Sequence, residues 1–430
     1  KFIFQIFVRA IAAPSQPILL FLDDLQWADE LSMQLVCSLV SDTEISNFIF
    51  VGSYRDNEIN DTHALTAQLN ELKRKRVTIT DINVGCISKY DVNALISDTI
   101  SIDKQATKSF SDIVYKKTGG NAFFVSQFLQ SLWNEGLLVY SLERNTWEWD
   151  EDAMDAKELF DDVGVLMAEK ICQLPLECQQ TIKLLACLGS KCDESILTLF
   201  ISKGGHLKWE IGGKARKRKT EHNNQYLVLD FAVDEGLLKK EGSNYIFAHD
   251  QIQHAAYSLI PESERGCLHR YIGKCISKHM SNNRVDNVFF LAVDQLNRGK
   301  AFIEGDDERI ELAMLNLRAG KKAISLATFS ASASYLKAGI DALCDSHWEK
   351  HYDLSLQLYS LYAEAEYCNG RFDEVGRAAA VVIKHATSFE NKLHVFLTLI
   401  KSLAGGSKLQ DAIDLSFNVL KELGVECSSP

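Results

Sequence analysis

The chain is poor in residues that break regular structure, with 5 prolines and 24 glycines in 430 positions. That scarcity argues against a sandwich of short strands and tight turns and favours long helices. Paired cysteines are lacking too. The 11 cysteines are scattered from Cys37 to Cys427 with no C-x-x-C pair and no zinc-knuckle or disulfide spacing. They read as reduced, mostly buried thiols of a cytosolic protein. No apolar run approaches the roughly 18 residues that span a bilayer. The opening Lys1-Phe-Ile-Phe-Gln-Ile-Phe-Val-Arg-Ala10 is interrupted by Gln5 and Arg9, which argues against a secretory signal and for a helix in a chain cut from something longer. Positive charge is in deficit as well. With 58 acidic against 46 basic residues the net charge is −12, so the chain as a whole is repelled by nucleic acid and by anionic membranes. Core-forming residues are plentiful, at 46% hydrophobic and 10% aromatic, enough for about three domains of roughly 150 residues and incompatible with overall disorder.

Helix-period apolar spacing at Phe4, Phe7, Val8 and Ile11 stops at Pro14 and Pro17 and gives way to the run Ile18-Leu-Leu-Phe-Leu22, closed by Asp23-Asp24. Such a run predicts a strand of a parallel sheet covered on both faces. A helix started by Asp29 follows, then a second buried-type strand at Phe48-Ile-Phe-Val51, then a third strand candidate at Val77-Thr-Ile-Thr80. Alternation of strand and helix predicts a doubly wound α/β core over residues 1–85. From about residue 86 to 165 the pattern is helical, broken at Gly119-Gly120-Asn121 and ended by a small hairpin, Leu137 to Tyr140 against Thr146 to Trp149, and an acidic run, Asp150 to Asp162. Residues 166–260 read as three helices and a two-stranded wing, a winged helix, interrupted by the insertion Gly204 to Asn224 with its basic Lys214-Ala-Arg-Lys-Arg-Lys219. That basic stretch reads as a solvated loop, with nuclear import or nucleic-acid contact as the other reading. Residues 261–430 read as TPR-like helical repeats, with helices opening near Phe329, Phe372 and Leu409. The spacings of 43 and 37 residues between these positions lie near a tetratricopeptide period.

The densest chemistry lies at Asp23 and Asp24. An apolar parallel strand that ends in two carboxylates is the Walker B pattern, in which the first aspartate holds Mg²⁺ through water and the second orients or deprotonates an attacking water. A capping or turn role explains the same pair without any ligand. The second strand ends in Gly52-Ser-Tyr-Arg55, so Arg55 can reach a γ-phosphate from the same edge, or can simply pair with Asp56 or Glu58.

Three strings, Phe21-Leu-Asp-Asp-Leu-Gln-Trp-Ala-Asp29, Val51-Gly-Ser-Tyr-Arg-Asp-Asn-Glu58 and Lys117-Thr-Gly-Gly-Asn-Ala-Phe-Phe124, resemble the STAND-class, AAA-like predicted ATPases. These modules occur inside large sensor histidine kinases, some Ser/Thr kinases and transcriptional regulators. The segment Phe247-Ala-His-Asp-Gln-Ile-Gln-His-Ala-Ala-Tyr257 and the helical repeats fit the same family, so the resemblance runs along essentially the whole chain. It implies an ATP/ADP-operated switch with Mg²⁺ as cofactor, slow ATP hydrolysis as the reset, a protein partner or inducer on the repeats, and an output domain such as a kinase in the same larger chain. The cysteines and the acidic balance point to a cytoplasmic setting, without nucleic acid or membrane as partner. Asp23 would take the metal, Asp24 and Arg55 the catalytic and sensor roles, Gly119, Gly120 and Asn121 the lid motif near adenine, and His249 a contact to ADP phosphates in the closed state.

Two departures stand out. The family's lid motif continues with proline where this chain has Ala122, and no G-x-x-x-x-G-K-[ST] occurs anywhere in the sequence, so the phosphate loop is expected to precede residue 1. His249 can alternatively cap its helix or fill an interface with Asp250. His347 and His351 lie one turn apart but lack the spacing of a zincin, and Tyr359, Tyr362 and Tyr367 read as repeat core and rim. From a different class, the rival function is a non-catalytic helical-repeat scaffold with a vestigial nucleotide site. DNA binding by the winged helix is disfavoured by the acidic balance and by the scarcity of Lys and Arg in Leu227 to Glu235.

Overall fold

A computed structural model describes residues 1–156, 163–200, 225–279 and 286–425. The chain divides into two compact units, Lys1–Met154 and Asp155–Pro430, and is predominantly helical. The basic stretch Lys214 to Lys219, with the insertion around it, lies outside the described residues.

In the first unit, helix α1 (Phe2–Ile11) leads into strand β1 (Ile18–Leu22), helix α2 (Glu30–Val40), strand β2 (Phe48–Gly52) and helix α3 (Ala64–Arg74). The α2 N-terminus is capped by Asp29, whose carboxylate accepts the Ser32 N–H, one of the four amides a helix start leaves unpaired. β1 and β2 pair in parallel from Ile18 opposite Phe48 to Leu22 opposite Gly52. One face of this sheet packs Leu22 and Phe50 onto Leu25, Met33 and Leu65 from the helical side. The other face carries Leu19, Phe21, Ile49 and Val51, all exposed, with Val51 the least so at 43%. The expectation of strands covered on both faces therefore holds for one face only.

The expected third strand at Val77 to Thr80 does not form. Val77 N–H closes the end of α3 by donating to Leu72 O, and residues 77–88 run on without a strand partner among the described residues. Side-chain alternation signals an extended conformation, but a strand also needs a neighbouring ladder for its amides and carbonyls. Beyond it, helices α4 (Lys89–Ile100), α5 (Lys108–Thr118) and α6 (Ala122–Asn134) gather around Phe110, Val114, Val125, Phe128 and Leu132. The hairpin of β3 (Leu138–Ser141) and β4 (Thr146–Trp149) sits where the sequence placed it. Its Trp149 stacks on Phe110 at 5.2 Å and Trp147 lies 5.1 Å from Trp133, so both tryptophans are packing residues. Helix α7 (Glu151–Ala156) follows.

The second unit begins with α8 (Val163–Gln173), α9 (Leu176–Leu188), strand β5 (Lys191–Asp193) and the short α10 (Glu194–Leu197). After the insertion come α11 (Gln225–Asp234), β6 (Leu238–Glu241), β7 (Asn244–Phe247) and α12 (Asp250–Ser258). The strands form an antiparallel sheet in the order β5-β7-β6. Its third member, Lys191-Cys-Asp193, is too short and too polar to have a period. Buried Cys187 and Cys192 have their thiols pushed up to about 12 by desolvation, and all described cysteines are free.

The helical array runs through α13 (Glu262–His279), α14 (Asp286–Arg298), α15 (Asp306–Ser325), α16 (Phe329–Ala342), the one-turn α17 (His347–Lys350), α18 (Tyr352–Cys368), α19 (Phe372–His385), α20 (Glu390–Gly405) and α21 (Leu409–Glu422). Helices α16, α19 and α21 start at the three residues read from sequence. Each is preceded, two residues earlier, by a left-handed residue: Ala327 (φ 55°), Gly370 (φ 75°) and Ser407 (φ 60°). In all three turns the next N–H reaches back five residues, Thr328 to Ala323 O, Arg371 to Glu366 O and Lys408 to Leu403 O. This is one helix-ending geometry used three times, and it marks the repeat more sharply than the side chains do. The core of the array is small and apolar, with Ala313, Leu336, Leu358, Ala363, Val375 and Ala378 in one cluster. No helix among the described residues is long and apolar enough to cross a membrane.

A polar chain of three side chains runs through the buried part of this unit. Gln295 Nε2 donates to Cys187 O at 2.7 Å, Gln295 Oε1 lies 2.7 Å from His269 Nδ1, and His269 Nε2 lies 3.0 Å from the Tyr257 hydroxyl. Because the Gln295 amide nitrogen is used on Cys187, its oxygen must accept, so His269 carries its proton on Nδ1 and accepts the Tyr257 O–H on Nε2. The neutral imidazole is thereby satisfied at both nitrogens. Burial, and after it the charges of Arg298 and Arg265, hold its pKa below the usual histidine value, against the opposing bond from Gln295.

Candidate functional site

Parallel pairing brings the carboxyl ends of β1 and β2 side by side, the edge of an open α/β sheet at which ligands bind. The ladder continues past the strands: Ser53 N–H donates to Leu22 O at 3.0 Å and Leu25 N–H to Ser53 O at 2.9 Å. Asp23, Asp24 and Arg55 are thus brought together. The Ser53 hydroxyl donates to Asp23 Oδ1 and lies 3.3 Å from the Asp24 N–H. Asp24 itself is in the left-handed region at φ 55°, a conformation that costs a non-glycine residue roughly 1 kcal/mol. Such strain persists only where neighbours hold it.

Its side chain is held firmly. Gln26 Nε2 donates to Asp24 Oδ1 at 2.9 Å, and Arg55 Nε lies 3.5 Å from the same oxygen. The other end of the Arg55 guanidinium bonds Glu58 Oε1 at 3.1 Å, and the Trp27 indole N–H donates to Glu58 Oε2 at 3.3 Å. Arg55 also lies over the Trp27 ring at 5.9 Å. One cation is shared by two carboxylates, all three about a third exposed, so these ion pairs contribute about 1 kcal/mol or less each. They are weak enough to be exchanged for a stronger anion. The sequence suggested Asp56 or Glu58 as the ordinary partner of Arg55, and Glu58 is indeed bonded to it, together with Asp24.

Asp23, Asp24 and Ser53 present hard oxygen donors, the type that Mg²⁺ prefers. Among the described residues no group of three or more His, Cys, Asp or Glu side chains could hold a metal ion alone. A magnesium ion here would draw its remaining ligands from water and phosphate, as this ion ordinarily does. The donor set fits the ion.

The Gly119-Gly120-Asn121 motif forms the turn between α5 and α6. Both glycines are left-handed, at φ 58° and 74°, and a Cβ on Gly120 would stand 2.2 Å from Ile87 O. Ile87 N–H donates to Gly120 O at 2.8 Å, so the turn is latched to the chain entering α4. The Asn121 side chain caps α6 by accepting the N–H groups of Phe123 and Phe124. Ala122 is the first residue of α6, a position where proline suits because its N–H would be unpaired there.

His249 belongs to the other unit. It stands between β7 and α12, with Nδ1 2.7 Å from Asp250 Oδ1 and 3.2 Å from the Gln251 amide. The capping expected as its alternative role is present. Sequence reasoning missed three members of the strand edge: Ser53, Gln26 and His63. His63 Nδ1 accepts the Leu65 N–H, which leaves Nε2 to donate to Gln26 O at 3.1 Å. Gln26 stands within the Leu-Asp-Asp-Leu-Gln-Trp string, but its burial and its bonds to both strand ends arise only in the fold.

No protein-family model matches the chain. Two curated proteins are similar to it. Hybrid signal transduction histidine kinase G of Dictyostelium discoideum is 24% identical over 427 residues, covering 89% of this chain and 12% of that protein. Peroxide stress-activated histidine kinase mak3 of Schizosaccharomyces pombe is 19% identical over 427 residues, covering 97% of this chain and 17% of that protein. The chain thus spans about an eighth and about a sixth of the lengths of these relatives. Among solved structures, a Signal Transduction ATPase with Numerous Domains (STAND) protein with a tetratricopeptide repeat sensor from Pyrococcus horikoshii aligns over 98% of this chain and 64% of its own, at 12% identity and a TM-score of 0.41.

Proposed function

We propose that the chain works as an ATP- and ADP-operated signalling switch in the cytoplasm, with nucleotide phosphates at the shared ends of β1 and β2 and a protein partner or inducer on the helical array. The observation that carries this reading is the pair of parallel strands ending side by side in Asp23, Asp24 and Arg55. In this reading residues 1–85 are part of a P-loop NTPase core, 86–165 its lid and 166–260 a winged helix. Bound Mg²⁺ supplies charge neutralisation to the phosphates. Asp23 would hold the ion, Asp24 would take or orient the proton of the attacking water, and Arg55 would leave Asp24 for the γ-phosphate charge. Gly119, Gly120 and Asn121 face the adenine side. The resemblance gives His249 a contact to ADP phosphates, and its ring stands at the start of α12 beside the Asp250 carboxylate and the Gln251 amide. Both curated relatives are histidine kinases by name and far longer than this chain, which supports an output kinase in the same polypeptide.

The scaffold reading has its own support: Asp24 and Arg55 satisfy each other, and Gly119 to Asn121 already serve as turn and cap. The experiment that separates the two uses the longest natural polypeptide carrying this chain. Asp24→Asn is expected to slow ATP hydrolysis by about 100-fold while Mg²⁺-ATP affinity changes by less than about threefold, because Asp23 still serves the ion. Equal hydrolysis by the two proteins would assign Asp24 to structure, and failure of the parent to bind ATP would leave the scaffold.

A further inference from the structure

Gln26 is a neutral side chain, 7% exposed, in the short helical turn Leu25–Trp27 directly after the two aspartates. Both ends of its amide are used, and on different strands. Nε2 donates to Asp24 Oδ1 at 2.9 Å, after β1, and Oε1 accepts the Arg55 N–H at 3.3 Å, after β2. Its own carbonyl accepts from His63 Nε2 at 3.1 Å, which ties the turn to the start of α3. A buried side-chain amide bonded at both ends is hard to rotate, because any turn of it strands a donor or an acceptor out of water.

From this we infer that Gln26 is the positioning residue of the strand edge. It fixes the Asp24 carboxylate against the backbone from which Arg55 projects, so that the proton acceptor keeps its place when the cation swings to a ligand. The inference rests on the switch reading above and adds to it a part that Asp23, Asp24 and Arg55 do not play. The left-handed backbone of Asp24 gives the bond its purpose. A carboxylate on a strained residue would otherwise relax towards Arg55 alone, and the two charges would collapse onto each other instead of facing a ligand. Gln26 takes one lone pair of the shared oxygen and leaves Arg55 at 3.5 Å, a loose pair that a phosphate can replace.

Two substitutions test it. Gln26→Met keeps volume and burial and removes both bonds, so the fold is retained. Gln26→Glu keeps an acceptor for Arg55 N–H but can no longer donate to Asp24. Hydrogen exchange on the nucleotide-free 430-residue chain should show the Arg55 amide opening at least about tenfold faster in Gln26→Met and within about threefold of the parent in Gln26→Glu. In the longest natural polypeptide, both variants should lose about tenfold or more in kcat for ATP with KM changed by less than about threefold, since positioning acts on the transition state and not on uniform binding. Unchanged kcat in both variants, or parallel losses in kcat and affinity with unchanged Arg55 exchange, would overturn the assignment. If the parent hydrolyses no ATP, the switch reading falls and takes this inference with it. If the parent hydrolyses ATP and the variants match it, this inference alone falls.

Discussion

At the ends of β1 and β2 the decisive side chains are partly exposed and held by polar partners, on a sheet with one apolar face uncovered. From α13 to α21 the groups are buried instead: small apolar residues fill a packed core in which the polar side chains are bonded to one another or to main chain, and one turn geometry recurs at each of three helix starts. The strand edge keeps its groups at positions fixed by weak, exchangeable ion pairs, so a ligand can displace them at low cost. The array stores its stability in packing, which tolerates no such exchange. A region built like the first suits chemistry, and one built like the second suits transmission of a shape.

The comparison is sharpest where stability should be lost without any change at the strand edge. Leu358 is fully buried in the array core and lies against Gly339. Leu358→Ala is expected to cost about 2–5 kcal/mol in denaturant unfolding of the second unit, while hydrogen exchange at Arg55 stays at the parent rate. A cost below about 1 kcal/mol would show that the array is not the close-packed core described.

A smaller effect is expected from acid. The folded pKa of His269 lies below the ordinary histidine value of about 6.5, so the unfolded chain takes up a proton that the folded one resists. The stability owed to neutral His269 is therefore fully present above about pH 6.5 and falls as pH drops towards the folded pKa. His269→Gln should flatten this part of the stability profile. A slope between pH 7 and 5 identical in both proteins would place the acid sensitivity elsewhere.

The smallest effect belongs to the repeated turn. Ser407 holds a left-handed conformation at an exposed position, where Gly370 stands in the equivalent turn. Ser407→Gly should stabilise the array by about 0.5–1 kcal/mol, visible as a rise in Tm. A loss of stability would mean that the Ser407 side chain contributes a contact that outweighs the backbone relief.

Much of this contrast was legible beforehand, and for reasons that differ between the regions. That Asp23, Asp24 and Arg55 would lie near one another could be read, because two apolar runs with polar ends predict parallel strands whose ends meet. Ser53 and Gln26 could not, since their role depends on the register that places Leu22 opposite Gly52, and register is a property of two segments. Helix starts at Phe329, Phe372 and Leu409 followed from local periodicity. Val77 to Thr80 failed because alternation fixes only where side chains point, and Lys191 to Asp193 was missed because three residues carry no period at all.

The two intervals of the array differ by six residues, 43 against 37, although the turns that close them match. The longer one contains α17, whose Trp348 is sandwiched between Tyr359 at 5.6 Å and His385 at 5.1 Å. Nearby, the Tyr352 hydroxyl accepts from Thr387 and Asn391. Considered as a spring, the array has an uneven compliance. Flexure between α18 and α19 must shear stacked rings and break a hydroxyl clasp, so bending under load will concentrate at the plainer joints on either side of this stiffened vertebra.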